Sequence, residues 1–202
     1  NYNFDDPATF NYYVKVLNKE DVRTIDRSGG TFLHTSRTNP QNVKEKAVPD
    51  FLINTTYGKK IEKGVFDFTN YTIKVIQHLE LDVLVAIGGD DTLSFAVRLN
   101  KEGVPVVGIP KTMDNDVPGT DYCIGFSTCI TRTINLVNTL RTSAGSHERF
   151  LVIEVFGRYA GFTALLPTMA GAAHRCVIPE YKFNMEHLTE LLTYDRNQNP
   201  SR

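Results

Sequence analysis

Short unbroken apolar runs alternate with polar loops in the middle of this chain. Two of the runs, residues 83–87 and 104–109, have the length of strands that are buried on both faces of a sheet. Between them, residues 93–101 have the pattern of a helix. A strand, a helix and a second strand in this order predict a βαβ unit whose two strands run parallel.

Apolar patterning extends this arrangement along the chain. Residues 150–156 and 176–178 are further apolar runs that predict a third and a fourth strand. Helices are predicted where apolar residues recur at helical spacing or where small residues permit close packing on the sheet. These helices are 19–26, 68–79, 126–140, 159–170 and 185–192. Four strands alternating with helices predict an α/β fold with a doubly wound, mostly parallel sheet flanked by helices.

The remaining segments have weaker patterns. Residues 12–17 are predicted as an additional strand, and Asn18 and Thr69 are predicted to cap the helices that begin beside them. Residues 40–68, where Pro, Asn, Lys and Gly are frequent, are predicted as an inserted, loop-rich region. The polar tail, residues 194–202, is predicted to fray.

Polar loops follow the first two predicted strands. Residues 88–92 read GGDDT and residues 110–116 read PKTMDND. Because the carboxyl ends of parallel strands meet at one edge of a sheet, we expect the two loops to lie together. Gly88 and Gly89 would let a phosphate approach the backbone, and the helix that follows would offer free N–H groups. Asp90 would repel a phosphate unless a cation lay between them, so the loops predict a phosphate-transfer site that uses Mg²⁺.

Each loop taken alone has a simpler interpretation. Residues 88–92 fit a tight turn at the end of a strand, and residues 110–116 fit a solvated loop rich in Asp and Asn. Two such loops after two adjacent strands, with one helix between them, favour a shared functional site over two unrelated turns.

The amino-acid composition argues against several classes of function. The 202 residues have a net charge of -1 and an isoelectric point of about 6.6, so charge favours neither nucleic acid nor an acidic membrane as a partner. No apolar run approaches the length of a transmembrane helix. The three cysteines, Cys123, Cys129 and Cys176, lack the close pairing of a metal site. Free thiols suit a reducing compartment, and we expect a cytoplasmic protein.

The loops and several other segments resemble a known family. In chain order the motifs are GGTFLHTSRTNP at 29–40, GGDDT at 88–92, PKTMDND at 110–116, GTDY at 119–122, SHER at 146–149 and FGRYAG at 156–161. Over about residues 20–195 this order resembles the phosphofructokinase family, and within it the pyrophosphate-dependent branch. The resemblance implies the family's fold and a glycolytic phosphotransferase that converts fructose 6-phosphate to fructose 1,6-bisphosphate, reversibly.

The resemblance and the chemistry of phosphoryl transfer together imply a set of sugar-binding residues. Asp114 would be the general base that takes the proton of the sugar 1-hydroxyl. Thr112 would lie on the same face of an extended segment and bind substrate. Arg158 would supply positive charge beside Asp114. The residues implied to bind the substrate, fructose 6-phosphate, are Thr112, Met113, Asp114, Asp116, Arg149, Phe156, Gly157 and Arg158.

Two of these sugar-side residues carry a further implication. Arg149 would bind the phosphate of the sugar from a neighbouring subunit, which implies a homo-oligomer. Phe156 stands where the family usually has methionine, so its contact with the sugar departs from the family pattern.

A second set of residues is implied to bind the phosphoryl donor. It comprises Gly88, Gly89, Asp91, Lys111 and Arg37, with Asp90 as the ligand of Mg²⁺. ATP-using relatives usually have Gly in place of Asp91, and many have a small residue in place of Lys111. A carboxylate about 4 Å from a nucleotide phosphate would repel it by roughly 4 kcal/mol at an effective dielectric of about 20. Lys111 would attract the highly charged pyrophosphate, which is therefore the predicted donor.

Three alternatives remain open. The nearest is an ATP-dependent 6-phosphofructokinase, whereas a diacylglycerol- or NAD-kinase-like enzyme would share only the GGD loop. The third is a non-catalytic regulatory or truncated subunit, because we expect the family's first Gly-rich phosphate loop and its C-terminal half to be missing from these residues. Residues 1–202 are therefore interpreted as a single α/β domain or a fragment of one, incomplete at both ends.

Overall fold

The computed structural model describes residues 2–198. Its α-helices are α1 (Pro7–Tyr13), α2 (Lys19–Val22), α3 (Thr69–His78), α4 (Asp90–Lys101), α5 (Phe126–Ser146), α6 (Phe162–Met169) and α7 (Met185–Gln198). Short 3-10 helices lie at Ile25–Arg27, Glu45–Ala47 and Asp50–Leu52. Its strands are β1 (Val43–Lys44), β2 (Lys59–Glu62), β3 (Val65–Asp67), β4 (Leu84–Gly88) and β5 (Val106–Pro110). The chain forms two compact units, the first from Asn1–Ala86 and Ser94–Gly108, the second from Ile87–Leu93 and Ile109–Arg202.

The predicted βαβ unit is confirmed. At one end of the strand pair the N–H of Leu84 donates to Pro105 O at 2.9 Å, and at the other the N–H of Lys111 donates to Gly88 O at 2.8 Å. The beginnings of the two strands are therefore paired, as are their ends, so β4 and β5 run parallel. Helix α4 connects them along the chain.

The prediction that these two strands are buried on both faces is wrong. Leu84 and Val106 pack against a buried cluster that includes side chains of α3 and α4. The side chains on the opposite face are about half exposed, from 47% at Ile87 to 52% at Val85 and Val107. Among the strands that the structure describes, β4 and β5 form a sheet of two, and only one of its faces is covered.

The predicted strands at 150–156 and 176–178 are also wrong. Both segments have irregular backbone, and the side chains of Val152 and Phe156 are 92% and 65% exposed. A buried strand needs neighbouring strands to satisfy its N–H and C=O groups, and the described part of the chain places none beside these segments. Within residues 2–198 the α/β arrangement therefore contains one parallel strand pair, and the doubly wound sheet of four strands predicted from the sequence is not formed there.

Residues 40–68, predicted as a loop-rich region, contain a small antiparallel sheet in the strand order β1-β3-β2. Gly64, at φ +74°, completes the tight turn between β2 and β3, a backbone conformation that glycine adopts without strain. This sheet and α3 share a hydrophobic core in the first unit. Its buried residues are Val43, Leu52, Phe68 and Tyr71.

Helix capping explains the structure near the N-terminus. Asp6 accepts a hydrogen bond from the N–H of Ala8 at 3.0 Å, and Pro7 occupies the first turn of α1. The helix continues to Tyr13, after which the backbone is irregular. The strand predicted at 12–17 is therefore wrong, because an Asp-Pro helix start precedes a run whose apolar residues alone resembled a strand.

The two predicted helix caps have different outcomes. The N–H of Asp21 donates to the Asn18 side chain at 3.0 Å, and the N–H of Asn18 donates to the Asp21 carboxylate at 3.1 Å. This reciprocal pair confirms Asn18 as the cap of α2, although that helix ends at Val22 rather than residue 26. Thr69 is instead the first residue of α3, and its N–H donates to the Asp67 carboxylate at 2.8 Å.

The helices of the second unit differ from their predictions mainly in length. Helices α5 and α7 continue past the predicted ends at 140 and 192, whereas α6 is shorter than 159–170. Arg175 binds the Asp195 carboxylate through two hydrogen bonds of 2.9 and 3.0 Å. The predicted fraying from residue 194 is therefore wrong as far as Gln198, and residues 199–202 lie outside the described residues.

Helix α5 packs against α6, where the rings of Phe126 and Phe162 meet edge to face with centroids 6.0 Å apart. A cavity of about 400 Å³ lies in this unit, with walls that include residues of α5, α6, α7 and the irregular segment around Ile153. Among residues 2–198, no helix has both the length and the hydropathy required to cross a membrane.

The contrast between Gly88 and Gly89 gives a test of this packing. A methyl group on Gly88 would lie 2.6 Å from Thr92 Cβ, whereas one on Gly89 would lie 3.6 Å from Thr112 Cβ, an ordinary contact distance. We expect Gly88→Ala to lower the free energy of unfolding by about 1–3 kcal/mol through overpacking. Gly89→Ala should change it by less than about 0.5 kcal/mol. Urea unfolding of both variants measures the difference, and equal losses would contradict the geometry.

Candidate active site

The two polar loops lie side by side, as the strand order predicts. The hydrogen bond from the N–H of Lys111 to Gly88 O joins the ends of β4 and β5. Gly89 faces Thr112 so closely that a methyl group on the glycine would be in van der Waals contact with the threonine. The GGDDT and PKTMDND loops therefore form one polar edge within the second unit.

Asp90 and Asp91 are the first two residues of α4, and both side chains are exposed. The helix begins with a hydrogen bond of 3.0 Å from the N–H of Leu93 to Gly89 O. Carboxylates in the first turn interact favourably with the positive end of the helix dipole. This interaction stabilises the start of α4. It leaves the oxygens of both side chains accessible to a cation or a ligand.

Asp90 fits the Mg²⁺ that the sequence predicts. It offers an exposed hard oxygen ligand beside a helix start where phosphate is favoured. Within residues 2–198 there is no group of three or more His, Cys, Asp or Glu side chains placed to hold a metal. Mg²⁺ is commonly held by one or two carboxylates together with phosphate oxygens and water, so the donor set suits a metal that arrives with a phosphate ligand.

Asp114 has the most unusual environment in this loop. Its side chain is 9% exposed, and its Oδ1 atom is buried without a hydrogen-bond partner in the described part of the chain. Burial raises the pKa of the Asp114 carboxyl above its usual value, and the negative charge of nearby Asp116 raises it further. A buried polar oxygen without a partner is uncommon in folded proteins, and this oxygen has an unused capacity to accept a hydrogen bond.

Thr112 and Asp114 do not lie on an extended segment, and that prediction is wrong. The backbone bends at Met113 and Asp114, and the N–H of Asp114 donates to the Thr112 hydroxyl at 3.2 Å. This local turn replaces the alternation of side chains expected for a strand. The Thr112 hydroxyl accepts that bond and retains its own hydrogen for donation. Met113 is 40% exposed and Asp116 is exposed.

Asn115 has a structural role that sequence reasoning missed. Its backbone is left-handed, with φ +55°, and its side chain bonds to the backbone of a later segment. The Asn115 Nδ2 group donates to Asp121 O at 3.1 Å, and the N–H of Cys123 donates to Asn115 Oδ1 at 2.8 Å. The available signal was an Asn inside an Asp-rich turn, because Asn is one of the few residues that tolerate this conformation.

The segment around residues 156–160, which was predicted to follow a third strand, is held by contacts among nearby residues. The Thr163 hydroxyl is buried and donates to Phe156 O. A methyl group on Gly157 would lie 2.7 Å from Ala160 O, so this position has no room for a side chain. Glycine is therefore required here by the local turn, whereas the sequence predicted it for contact with a ligand.

The structure shows no ion pair between Asp114 and Arg158, the arginine that was predicted to lie beside it, among residues 2–198. Arg158 is exposed and its guanidinium lies over the ring of Tyr159, 4.8 Å from the centroid. Arg149 is exposed, and its N–H donates to Ala144 O at 3.0 Å at the end of α5. The substrate roles of both arginines stay predictions.

The predicted donor residues include members of both compact units. Gly88, Gly89, Asp91 and Lys111 belong to the two loops of the second unit, and the Lys111 side chain is exposed. Arg37 belongs to the first unit, in an exposed segment without regular structure. Its role as a phosphate ligand stays a prediction.

Comparison with known proteins identifies the family of this chain. A family model described as phosphofructokinase matches residues 9–202. A pyrophosphate–fructose 6-phosphate 1-phosphotransferase of Amycolatopsis mediterranei (strain S699) is 40% identical over 172 residues, which cover 85% of this chain and 44% of that relative. An ATP-dependent 6-phosphofructokinase of Serratia proteamaculans (strain 568) is 37% identical over 175 residues, which cover 87% of this chain and 48% of that relative.

The fold is also similar to a solved phosphofructokinase. The crystal structure of Pichia pastoris phosphofructokinase in the T-state matches with a TM-score of 0.57 and 27% sequence identity, over 64% of this chain and 15% of that one. The chain spans about half the length of the curated relatives it matches. Because the family model covers nearly all of the chain, including both loops of the candidate site, the chain belongs to the phosphofructokinase family.

Proposed function

We propose that this chain provides the phosphoryl-transfer site of a 6-phosphofructokinase, which moves a phosphoryl group to the 1-hydroxyl of fructose 6-phosphate. The observation that supports this most is the buried Asp114 Oδ1, which has no partner among the described residues and lies in the loop beside the glycine pair. A carboxylate oxygen left unpaired in this way is available to accept the hydrogen of a substrate hydroxyl.

Asp114 takes the proton of the sugar 1-hydroxyl while the sugar oxygen forms its bond to phosphorus. The bond from that phosphorus to the leaving phosphate breaks, and its electron pair stays with the leaving group. Because burial raises the pKa of the Asp114 carboxyl, its carboxylate is a stronger base than that of an exposed aspartate. The Thr112 hydroxyl supports the Asp114 backbone and donates its own hydrogen to substrate.

The donor side of the proposed site is formed by Gly88, Gly89 and the start of α4. Backbone N–H groups at a helix start bind phosphate oxygens without a side chain between them. Asp90 is proposed to hold Mg²⁺, which would neutralise charge on the transferring phosphate when bound. Lys111 is proposed to add positive charge to the donor site, and Arg37, a residue of the first unit, is proposed to bind phosphate.

The sugar side is proposed to include several residues whose accessibility leaves them free to bind a ligand. Arg149 is proposed to bind the sugar phosphate from a neighbouring copy in a homo-oligomer, and Arg158 to approach Asp114 when substrate is present. The other proposed sugar-side residues are Met113, Asp116, Phe156 and Gly157.

The proposed donor is pyrophosphate. Asp91 lies in the first turn of α4, where its charge would repel the additional phosphate of a nucleotide, and the exposed Lys111 lies at the end of β5. ATP is the second candidate, and one observation favours it. The Asp91 side chain is exposed, so solvent screens its charge and leaves it room to turn away from a nucleotide.

Replacing Asp114 with Asn tests the proposed base. The substitution keeps the shape of the side chain and removes its ability to take a proton, so kcat should fall by about 10²–10⁴-fold. The protein should also become more stable at pH 7, because a neutral amide replaces a buried carboxylate. Turnover assays compare kcat of the natural protein with that of its Asp114→Asn variant. Thermal unfolding of both proteins between pH 3 and pH 8 measures the difference in stability.

The pH dependence of that gain in stability has a defined sign. The folded pKa of Asp114 lies above the ordinary value of 3.8, so the stability that this carboxyl contributes is fully present below 3.8. It is lost as the pH rises through the folded pKa. The advantage of Asp114→Asn should therefore vanish near pH 3, and Asp82→Asn, at an exposed position, should show neither effect. Near-normal turnover in Asp114→Asn would rule out the base.

Substitutions of Asp91 and Lys111 test which donor is used. Asp91→Gly should raise kcat/KM with ATP relative to pyrophosphate, because the repulsive charge is removed. Asp91→Asn removes the charge while keeping the size, and should raise that ratio to a similar extent. Lys111→Gly should lower kcat/KM with pyrophosphate, as expected for loss of a charge-assisted contact worth about 1.5–3 kcal/mol. An unchanged donor ratio in both Asp91 variants, or a parent enzyme that already prefers ATP, would contradict the electrostatic argument.

A further inference from the structure

Asn115 joins the loop that contains Asp114 to a well-packed part of the second unit. Its two side-chain hydrogen bonds reach the carbonyl of Asp121 and the N–H of Cys123. The Cys123 side chain is only 3% exposed, and the next residue, Ile124, donates its N–H to Pro110 O at 3.0 Å. The amide of Asn115 is therefore attached to backbone that is itself paired with the end of β5.

The geometry of this connection requires an amide side chain. The Nδ2 group of Asn115 donates one hydrogen bond and its Oδ1 atom accepts the other. A carboxylate can only accept and an alkyl group can do neither, so neither reproduces both bonds. The backbone of Asn115 also has φ +55°, which Gly adopts freely and Asn tolerates, whereas Ala is strained there. Side-chain bonding and backbone conformation are thus separate requirements at one position.

We propose that Asn115 is a positioning residue, which holds the neighbouring Asp114 carboxylate in its buried place at the active site. The inference rests on the proposed function, in which Asp114 is the general base. Asn115 acts through Asp114 and the loop, and does not itself touch the reacting atoms. Without its two bonds the segment that follows Asp114 is released from Cys123, and the carboxylate moves out of the geometry needed to accept the sugar hydroxyl.

The test compares Asn115→Gly with Asn115→Ala in the natural protein. Both variants remove the two side-chain bonds, but only Ala adds backbone strain. We expect kcat to fall by about tenfold to a hundredfold in both, with KM for fructose 6-phosphate changed by less than about threefold, because misplacement of the base affects the transition state more than ground-state binding. The melting temperature should fall further in Asn115→Ala than in Asn115→Gly.

Hydrogen exchange at the Cys123 amide provides a readout that does not depend on activity. This N–H donates directly to Asn115 Oδ1, so its exchange should become faster in Asn115→Gly. Asn54→Gly is the matched control, since Asn54 also has a left-handed backbone, at φ +65°, and is exposed in the first unit. Within residues 2–198 its side chain makes no hydrogen bond, and the control should retain its kcat and its Cys123 exchange rate.

The outcomes separate this inference from the proposed function. If Asp114→Asn is inactive while Asn115→Gly retains the parent kcat, the positioning role is overturned and the base remains. Unchanged Cys123 exchange in Asn115→Gly would likewise overturn it, because the bond would then be unimportant. A loss of kcat that follows the fall in melting temperature, larger in Ala than in Gly, would show a merely structural role. Turnover in Asp114→Asn would instead reject the proposed function.

Discussion

A buried carboxylate oxygen with no hydrogen-bond partner is destabilising, and the candidate site depends on keeping one such oxygen in place. Leaving a buried polar group unsatisfied typically costs about 1–3 kcal/mol, and more when the group is charged. For Asp114 that cost is met by the rest of the fold, because its loop is fixed at several points. The Thr112 hydroxyl accepts from the Asp114 N–H, and the Asn115 amide is bonded to the backbone of Asp121 and Cys123.

The position of this loop follows from a simple property of parallel strands. Because β4 and β5 run in the same direction, the loops after Gly88 and Pro110 leave the same edge of the sheet. The absence of side chains at Gly88 and Gly89 then allows the first loop to approach both Thr92 and Thr112. The same edge thus combines a helix start that favours phosphate with a carboxylate whose pKa is raised by burial.

The parts of the structure that the sequence predicted well depend on local signals. The apolar run, glycine pair and helical spacing around residues 84–101 determine β4, its loop and α4 over a short stretch of chain. The segment 150–156 was predicted wrongly because an apolar run indicates a tendency to form a strand but not the presence of a neighbouring strand to pair with. The site shows the same division. The juxtaposition of the loops was predictable. The bonds of Asn115 join it to residues six and eight positions later, and the burial of Asp114 appears only in the folded structure, so neither could be predicted from the sequence pattern.

The central claim is that the Asp114 carboxyl is held out of water at the edge of the candidate site, and its titration tests that claim most directly. Carbon-13 NMR of labelled aspartate side chains, assigned by comparison with Asp114→Asn, follows this single carboxyl as the pH changes. We expect a midpoint for Asp114 above the ordinary value of 3.8. A midpoint at or below 3.8 would contradict it, because it would show that water or a cationic partner stabilises the charged form.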